Sequence, residues 1–325
     1  MWHVQTRSRA DSSVGFVPRV GREIMKAKKI LKIVGLSLAA LVVGVAGFVG
    51  FEVMRFNASM NKVYAIAVPT VTRSTDPAVI ERGSHLAHSI AACATRDCHG
   101  ADLGGGQTID AGPLGRMTGP NLTLVAMGYS DGELARLVRH GVKADGRSVR
   151  FMSVGEINWM SEADLSAVIS WIRTVPPVQR ASGPMEIGVL GKILDRREMM
   201  PLDVARHVAE QGPHDLAPPP SPTAAYGTYI ARACIGCHGE HYSGGRIPGA
   251  PSSMPIPANI TADASGIQSW TYDDFERFSH TGLRPNGQRV NPFMPIEILG
   301  NMDDTERHAT WEFLRSVPAR PFGQR

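Results

Sequence analysis

The longest apolar run in the chain is Ile33–Phe51, nineteen residues without a charge. At about 1.5 Å per residue, roughly 20 such residues cross the hydrocarbon core of a bilayer. Elsewhere the apolar positions follow a helical period in short runs. Leu134, Leu137 and Val138 follow Ser130 and Glu133, a capping-box pair, and Gly141 ends the run. Thr271 and Asp274 stand in the same relation to Phe275 and Phe278. Ser161 and Asp164 open a helix with Leu165, Val168, Ile169 and Ile172 on one face. Asp303 and Glu306 open its counterpart, which buries Trp311, Phe313 and Leu314. Gly- and Pro-rich loops separate these helices, and a further short helix is expected around Val189–Met199. The pattern predicts an all-α protein.

The helical runs are two copies of one plan. Cys93-Ala94-Thr95-Arg96-Asp97-Cys98-His99 begins the first copy and Cys234-Ile235-Gly236-Cys237-His238 the second. Asn121-Leu122-Thr123 lies 22 positions after His99, and Asn259-Ile260-Thr261 lies 21 after His238. Met152 follows His99 by 53 residues, Met294 follows His238 by 56, and Met160 and Met302 each come eight later. Arg173-Thr174-Val175-Pro176 and Arg315-Ser316-Val317-Pro318 close the copies in register. Such self-similarity means duplication of a unit of roughly 100 residues. The chain divides as a basic N-terminus (1–32), an anchor (33–52), a linker (53–79), a first domain (80–177), a connector (178–221) and a second domain (222–325). Two or three helices give a poor core for ~100 residues, so something else is expected to fill each unit.

Charge narrows the location and excludes one class of partner. Residues 1–32 carry a net charge of +6, which leaves −2 on residues 33–325 of a chain whose total is +4. A nucleic-acid binder carries its positive charge on the folded part, so no nucleic-acid partner is expected. Lys and Arg before an apolar helix place the N-terminus in the cytoplasm and the bulk of the chain across the membrane. An uncleaved anchor is expected, because the run exceeds the roughly 7–15 apolar residues of a secretion signal. Cleavage near Ala65-Ile66-Ala67 is the alternative, and Met25 is a second candidate start. These readings put the domains outside the cytoplasm, held to the membrane by the apolar helix.

Cys-x-x-Cys-His is the attachment signature of a c-type haem, and Cys234, Cys237 and His238 match it. Zinc would need further ligands, and the chain has only four Cys. The first cluster has four residues between its thiols, with Thr95 where a second Cys would stand. A Cys93–Cys98 disulfide is the competing reading there, but its place in the repeat favours a haem held by two thioethers or by Cys98 alone. Met152 and Met294 are the expected sixth iron ligands, with Met160 and Met302 as competitors and a core role as the ordinary use of Met. An axial Met raises the potential and fills the position a substrate would need, which suits electron transfer.

Both halves resemble the class I cytochrome c domain, and the exported part is similar to tandem di-haem cytochromes and to the cytochrome subunits of bacterial membrane-bound alcohol and gluconate dehydrogenases. The resemblance implies two cytochrome c-like domains after a transmembrane helix, two covalent haems c, and axial pairs His99 with Met152 and His238 with Met294. It also implies a proline carbonyl, Pro120 in Gly119-Pro120-Asn121-Leu122, that accepts the Nδ1–H of the axial His. Asn121 and Asn259 are the matching loop residues, and in the second half Pro257 stands two places before Asn259. Cys93–Cys98 spacing and Ser153 after Met152 depart from the family pattern. The expected activity is electron carriage rather than catalysis, with a dehydrogenase, a quinol-oxidising complex or a terminal oxidase as redox partner. A di-haem peroxidase and a subunit acting only within a dehydrogenase complex are the alternatives. Thiosulfate oxidation at a Cys-ligated haem is disfavoured, since two doubly attached haems use all four Cys.

Overall fold

The computed structural model describes residues 19–208, 217–248, 250 and 254–325. Most of the basic N-terminus (residues 1–18) and part of the connector (209–216) lie outside the described residues. The chain falls into two units, Met1–Phe51 and Glu52–Arg325. The first is carried by helix α1 (Arg19–Met60), whose large apolar side chains from Met25 to Val45 are exposed and which is long and apolar enough to cross a membrane.

In the second unit α1 continues to Met60, eight residues into the stretch expected as linker. Phe56 and Met60 are buried there against Met117 and Leu202. Helix α2 (Pro77–His88) starts where Asp76 accepts from Ala78 N–H and Pro77 holds the first position. Strands β1 (Ile109–Asp110) and β2 (Gly115–Met117) form an antiparallel pair. Then follow α3 (Leu122–Val125), α4 (Asp131–His140), α5 (Val154–Ile157) and α6 (Glu162–Ile172). Strand β3 (Met185–Ile187) adds to β2 with Met117 opposite Met185, and α7 (Val189–Arg196) and α8 (Val204–His207) follow. The last elements are α9 (Ala224–Ile230), α10 (Ile235–His238), α11 (Tyr272–Thr281), α12 (Ile296–Gly300) and α13 (Asp304–Ser316). The all-α expectation therefore needs a correction: a three-stranded sheet, β1-β2-β3, is present. It is built partly from the segment expected as connector, whose Leu202 and Val204 are buried.

The helix ends follow the local chemistry. Ser130 with Glu133, Thr271 with Asp274 and Asp303 with Glu306 form reciprocal capping boxes. Gly141 and Gly282 end α4 and α11 with left-handed φ of 64° and 67°. Ser161 caps α6, but Asp164 does not return the bond. Its carboxylate instead accepts from Tyr229 Oη at 2.6 Å and Arg82 Nε at 3.2 Å.

Those two bonds belong to a network that joins the repeats. Arg82 also donates to Glu306 at 2.8 Å and to Tyr226 Oη at 3.1 Å, and His85 Nε2 lies 2.7 Å from Glu306. Around it, one apolar core takes Leu86, Leu165 and Ile169 from the first half and Tyr226, Ile230 and Ala309 from the second. The hydrogen bond to Glu306 raises the His85 pKa against the opposing effect of burial. Burial pushes the Glu306 carboxyl up, but His85 and Arg82 outweigh it and hold the pKa below its ordinary value. A His with a raised pKa stabilises the fold below its ordinary value of about 6.5, and that contribution fades as pH rises through the folded value. The lowered Glu306 contributes above its ordinary value of about 4.3 and loses its contribution in acid. The pair is thus strongest between about pH 4.5 and 6.5. The melting temperature of the wild type is expected to fall more steeply from pH 6 to 8 than that of His85→Gln; equal slopes would show that the pair does not couple to stability.

Candidate haem-attachment sites

Each Cys-His segment is a tight loop closed by its own backbone. In the first, His99 N–H donates to Cys93 O at 3.1 Å, so the four intervening residues fold into a turn that keeps Cys93 beside His99. Thr95 Oγ1 donates to Ala92 O, and Cys98 N–H donates to Thr95 O. In the second, α10 itself carries Cys237 and His238, and Cys234 sits at its N-cap. Gly100 and Gly239 follow the two histidines with φ of 77° and 82° and turn the chain away. Gly119 approaches so closely that an added Cβ would lie 1.5 Å from Cys98 O. All four cysteines are free and half-buried, and Cys93 and Cys98 are not joined. Burial pushes the Cys93 and Cys234 thiols up to about 12 and raises Cys98 and Cys237 as well.

The histidines carry the clearest geometry. His99 Nδ1 lies 2.9 Å from Pro120 O, and His238 Nδ1 lies 2.8 Å from Ala258 O. A carbonyl only accepts, so Nδ1 must carry the proton in both rings. Burial lowers both pKa values and outweighs these bonds, which favours the neutral imidazole. Nε2 then bears the free lone pair, the state a metal-ligating histidine needs. The second carbonyl belongs to Ala258, one place after Pro257.

Asn121 and Asn259 hold the carbonyl loops. Asn121 Nδ2 donates to Val178 O and Arg180 O, while its Oδ1 accepts from Thr123 Oγ1 at 2.6 Å and from Leu124 N–H. Asn259 Nδ2 donates to Arg320 O and Ser265 Oγ, and its Oδ1 accepts from Thr261 N–H and Oγ1. Each Asn thus ties its loop to the segment that follows the last helix of its own repeat.

Met160 and Met302 are core residues, only 1% and 4% exposed. Met152 and Met294 instead pack at the edge of that core and are half-buried. They lie in matching turns, where Val154 N–H donates to Met152 O at 2.7 Å and Ile296 N–H donates to Met294 O at 2.8 Å. Met294 lines an open cavity of about 310 Å³ that Arg96 and Asp97, the residues just before Cys98, also line. The structure therefore joins Cys93, Cys98 and His99 with Pro120 and Asn121, and Cys234, Cys237 and His238 with Asn259. The two methionines come from separate loops. The sequence marks no acceptor in the second half, where the proline stands one place too early; a backbone carbonyl such as that of Ala258 leaves no signal of its own.

Sequence comparison relates the chain to cytochrome subunits of dehydrogenases. Over 301 residues the chain is 24% identical to the cytochrome c subunit of alcohol dehydrogenase (quinone) from Gluconacetobacter polyoxogenes, covering 83% of this chain and 62% of that one. It is 26% identical over 289 residues to the fructose dehydrogenase cytochrome subunit of Gluconobacter japonicus, covering 78% and 55%. The chain is similar to dehydrogenase cytochrome c subunits. A shorter match, 32% identical over 94 residues, is to the gluconate 2-dehydrogenase cytochrome c subunit of Pantoea cypripedii, covering 27% of this chain and 21% of that one. No family model matches the chain. The chain spans less than two thirds of the length of each of these cytochrome subunits.

The donor set fits covalent haem in both halves: two free thiols beside an imidazole whose Nδ1 is tied to a backbone carbonyl. Each cluster supplies only three donors, one fewer than a structural zinc centre uses.

Proposed function

We propose that the chain is the electron-transfer subunit of a dehydrogenase complex, with two haems c in tandem cytochrome c-like domains (80–177 and 222–325). The observation that carries this is the repeated histidine clasp: in both halves Nδ1 is held by a carbonyl 20 or 21 residues downstream. Bound haem would supply one-electron chemistry at its iron. The chain's own part is to hold it through Cys93, Cys98, Cys234 and Cys237, to ligate through His99 with Met152 and His238 with Met294, and to exclude water. The carbonyls of Pro120 and Ala258 keep each imidazole oriented and basic. Burying two porphyrins also supplies apolar bulk to units with few helices. Of the partners the sequence suggested, a dehydrogenase has the support of the relatives' names; the quinol-oxidising complex and terminal oxidase have none. Helix α1 would anchor the subunit in the inner membrane, with the basic residues before it cytoplasmic and the haem domains periplasmic.

The test is the haem content and electron paramagnetic resonance of the oxidised full chain, produced with haem-attachment machinery. Two haems per chain, each low-spin with His and Met ligands, are expected. A high-spin or bis-His centre would move the assignment to a peroxidase, and one haem per chain would remove Cys93–Cys98 as an attachment site.

A further inference from the structure

Glu156 belongs to α5, in the first repeat, yet its carboxylate rests on the attachment motif of the second. A Cβ added to Gly236 would lie 1.9 Å from Glu156 Oε1 and 2.6 Å from its Cδ. Gly236 stands between Cys234 and Cys237, so the glycine leaves the space that the carboxylate occupies. The same carboxylate acts electrostatically on Cys234 and Cys237 and also on Cys98 of the first motif. One ionisable group therefore lies within range of both attachment sites. Burial raises its pKa, opposed by a hydrogen bond with Ser153. The groups that face it are Ser153 on its own segment, Cys98 on the first attachment loop, and Cys234 and Cys237 on the second. From the C-terminal segment comes Arg325, whose guanidinium donates to Cys237 O at 2.8 Å and Gly236 O at 3.4 Å. Glu297 of α12 acts on Cys98 as well.

We propose that Glu156 is a potential-setting residue shared by the two haem sites, with its stronger effect on the haem held at Cys234 and Cys237. This rests on the haem reading above. Oxidation removes one electron from a haem, which passes to the redox partner, and leaves one more positive charge behind. A carboxylate at short range in a poorly solvated setting favours that charge and lowers the potential. When Glu156 is protonated the effect is gone, so each oxidation releases part of a proton from Glu156 to solvent. Because the carboxylate comes from the first repeat and seats on the second, it also ties the potential of one domain to the docking of the other.

The experiment is a spectroscopic redox titration of the full haem-loaded chain between pH 4.5 and 8.5, for the wild type, Glu156→Gln and Glu297→Gln. In the wild type the midpoint of the second haem is expected to fall as pH rises through the Glu156 pKa, with a smaller fall for the first. Glu156→Gln is expected to hold both midpoints near their low-pH values throughout, while Glu297→Gln shifts the first haem alone. A wild type with two haems and no pH slope overturns the proposal without using any variant. So does a Glu156→Gln chain whose midpoints follow the wild type at every pH. A wild type that takes up no haem overturns the haem reading itself, which separates the two failures.

Discussion

Gly227→Val is expected to prevent the chain from folding, and even Gly227→Ala should cost about 3 kcal/mol or more, the upper end of the range for overpacking. At Gly227, α9 crosses α13 so closely that an added Cβ would lie 1.9 Å from Ala309 O and 2.6 Å from Ala309 C. The atoms met are backbone, so no rotamer change relieves the clash; the two helices must part. Parting them opens the core shared by Tyr226, Tyr229, Ile230 and Ala309 and pulls Tyr229 from Asp164. Against a typical total stability of roughly 5–15 kcal/mol, that loss is severe. The first repeat makes the same contact, since a Cβ at Gly83 of α2 would lie 2.0 Å from Ala167 O of α6. Gly83→Ala should therefore destabilise about as much, whereas Gly128→Ala, with open space around it, should stay within about 0.5 kcal/mol of the wild type. Urea unfolding followed by circular dichroism distinguishes them. A Gly227→Ala chain as stable as Gly128→Ala would show that the helices do not cross at this contact.

That crossing illustrates what the sequence makes legible. Glycine in two helices is visible, but the carbonyl it admits lies 84 residues away in one repeat and 82 in the other. Caps are different: Ser130, Thr271 and Asp303 act on groups three residues distant, so their helices are readable from composition alone. The Cys-His motifs and Asn loops were legible because their spacing recurs, and recurrence needs no tertiary knowledge. Asp164 was read correctly as opening a helix, yet its carboxylate is taken by Tyr229, 65 residues on. The small sheet escaped because strands of two or three residues have no measurable period. The end of α1 escaped because Glu52 breaks the apolar run while the helix continues, with Phe56 and Met60 turned into a core made by Met117 and Leu202. Glu156 had no signal of its own; only the space over Gly236 reveals it.

Exchanging single methionines should separate ligation from packing. On the two-haem proposal, Met294→Ala is expected to change the haem held at Cys234 and Cys237 and leave stability nearly intact. Its side chain is half-buried at the edge of the core, so truncation removes little packing. If its sulfur is the sixth iron ligand, however, the low-spin His/Met signal of that haem must vanish and its potential must fall, because a thioether ligand raises it. Met302→Ala should do the reverse. Met302 is 4% exposed, lies in the shared core and has Thr310 Oγ1 4.0 Å from its sulfur. Truncation there should cost about 2–5 kcal/mol, as for other buried methionines, with the resonance spectrum of the folded fraction unchanged. Met152→Ala and Met160→Ala should divide in the same way at the first haem, Met160 being the more buried of the two. Eight residues separate the members of each pair, so a register error in the repeat would exchange their roles. The opposite pattern, spectral loss in Met302→Ala and an intact spectrum in Met294→Ala, would move the iron into the core and discard the proposed axial pairs.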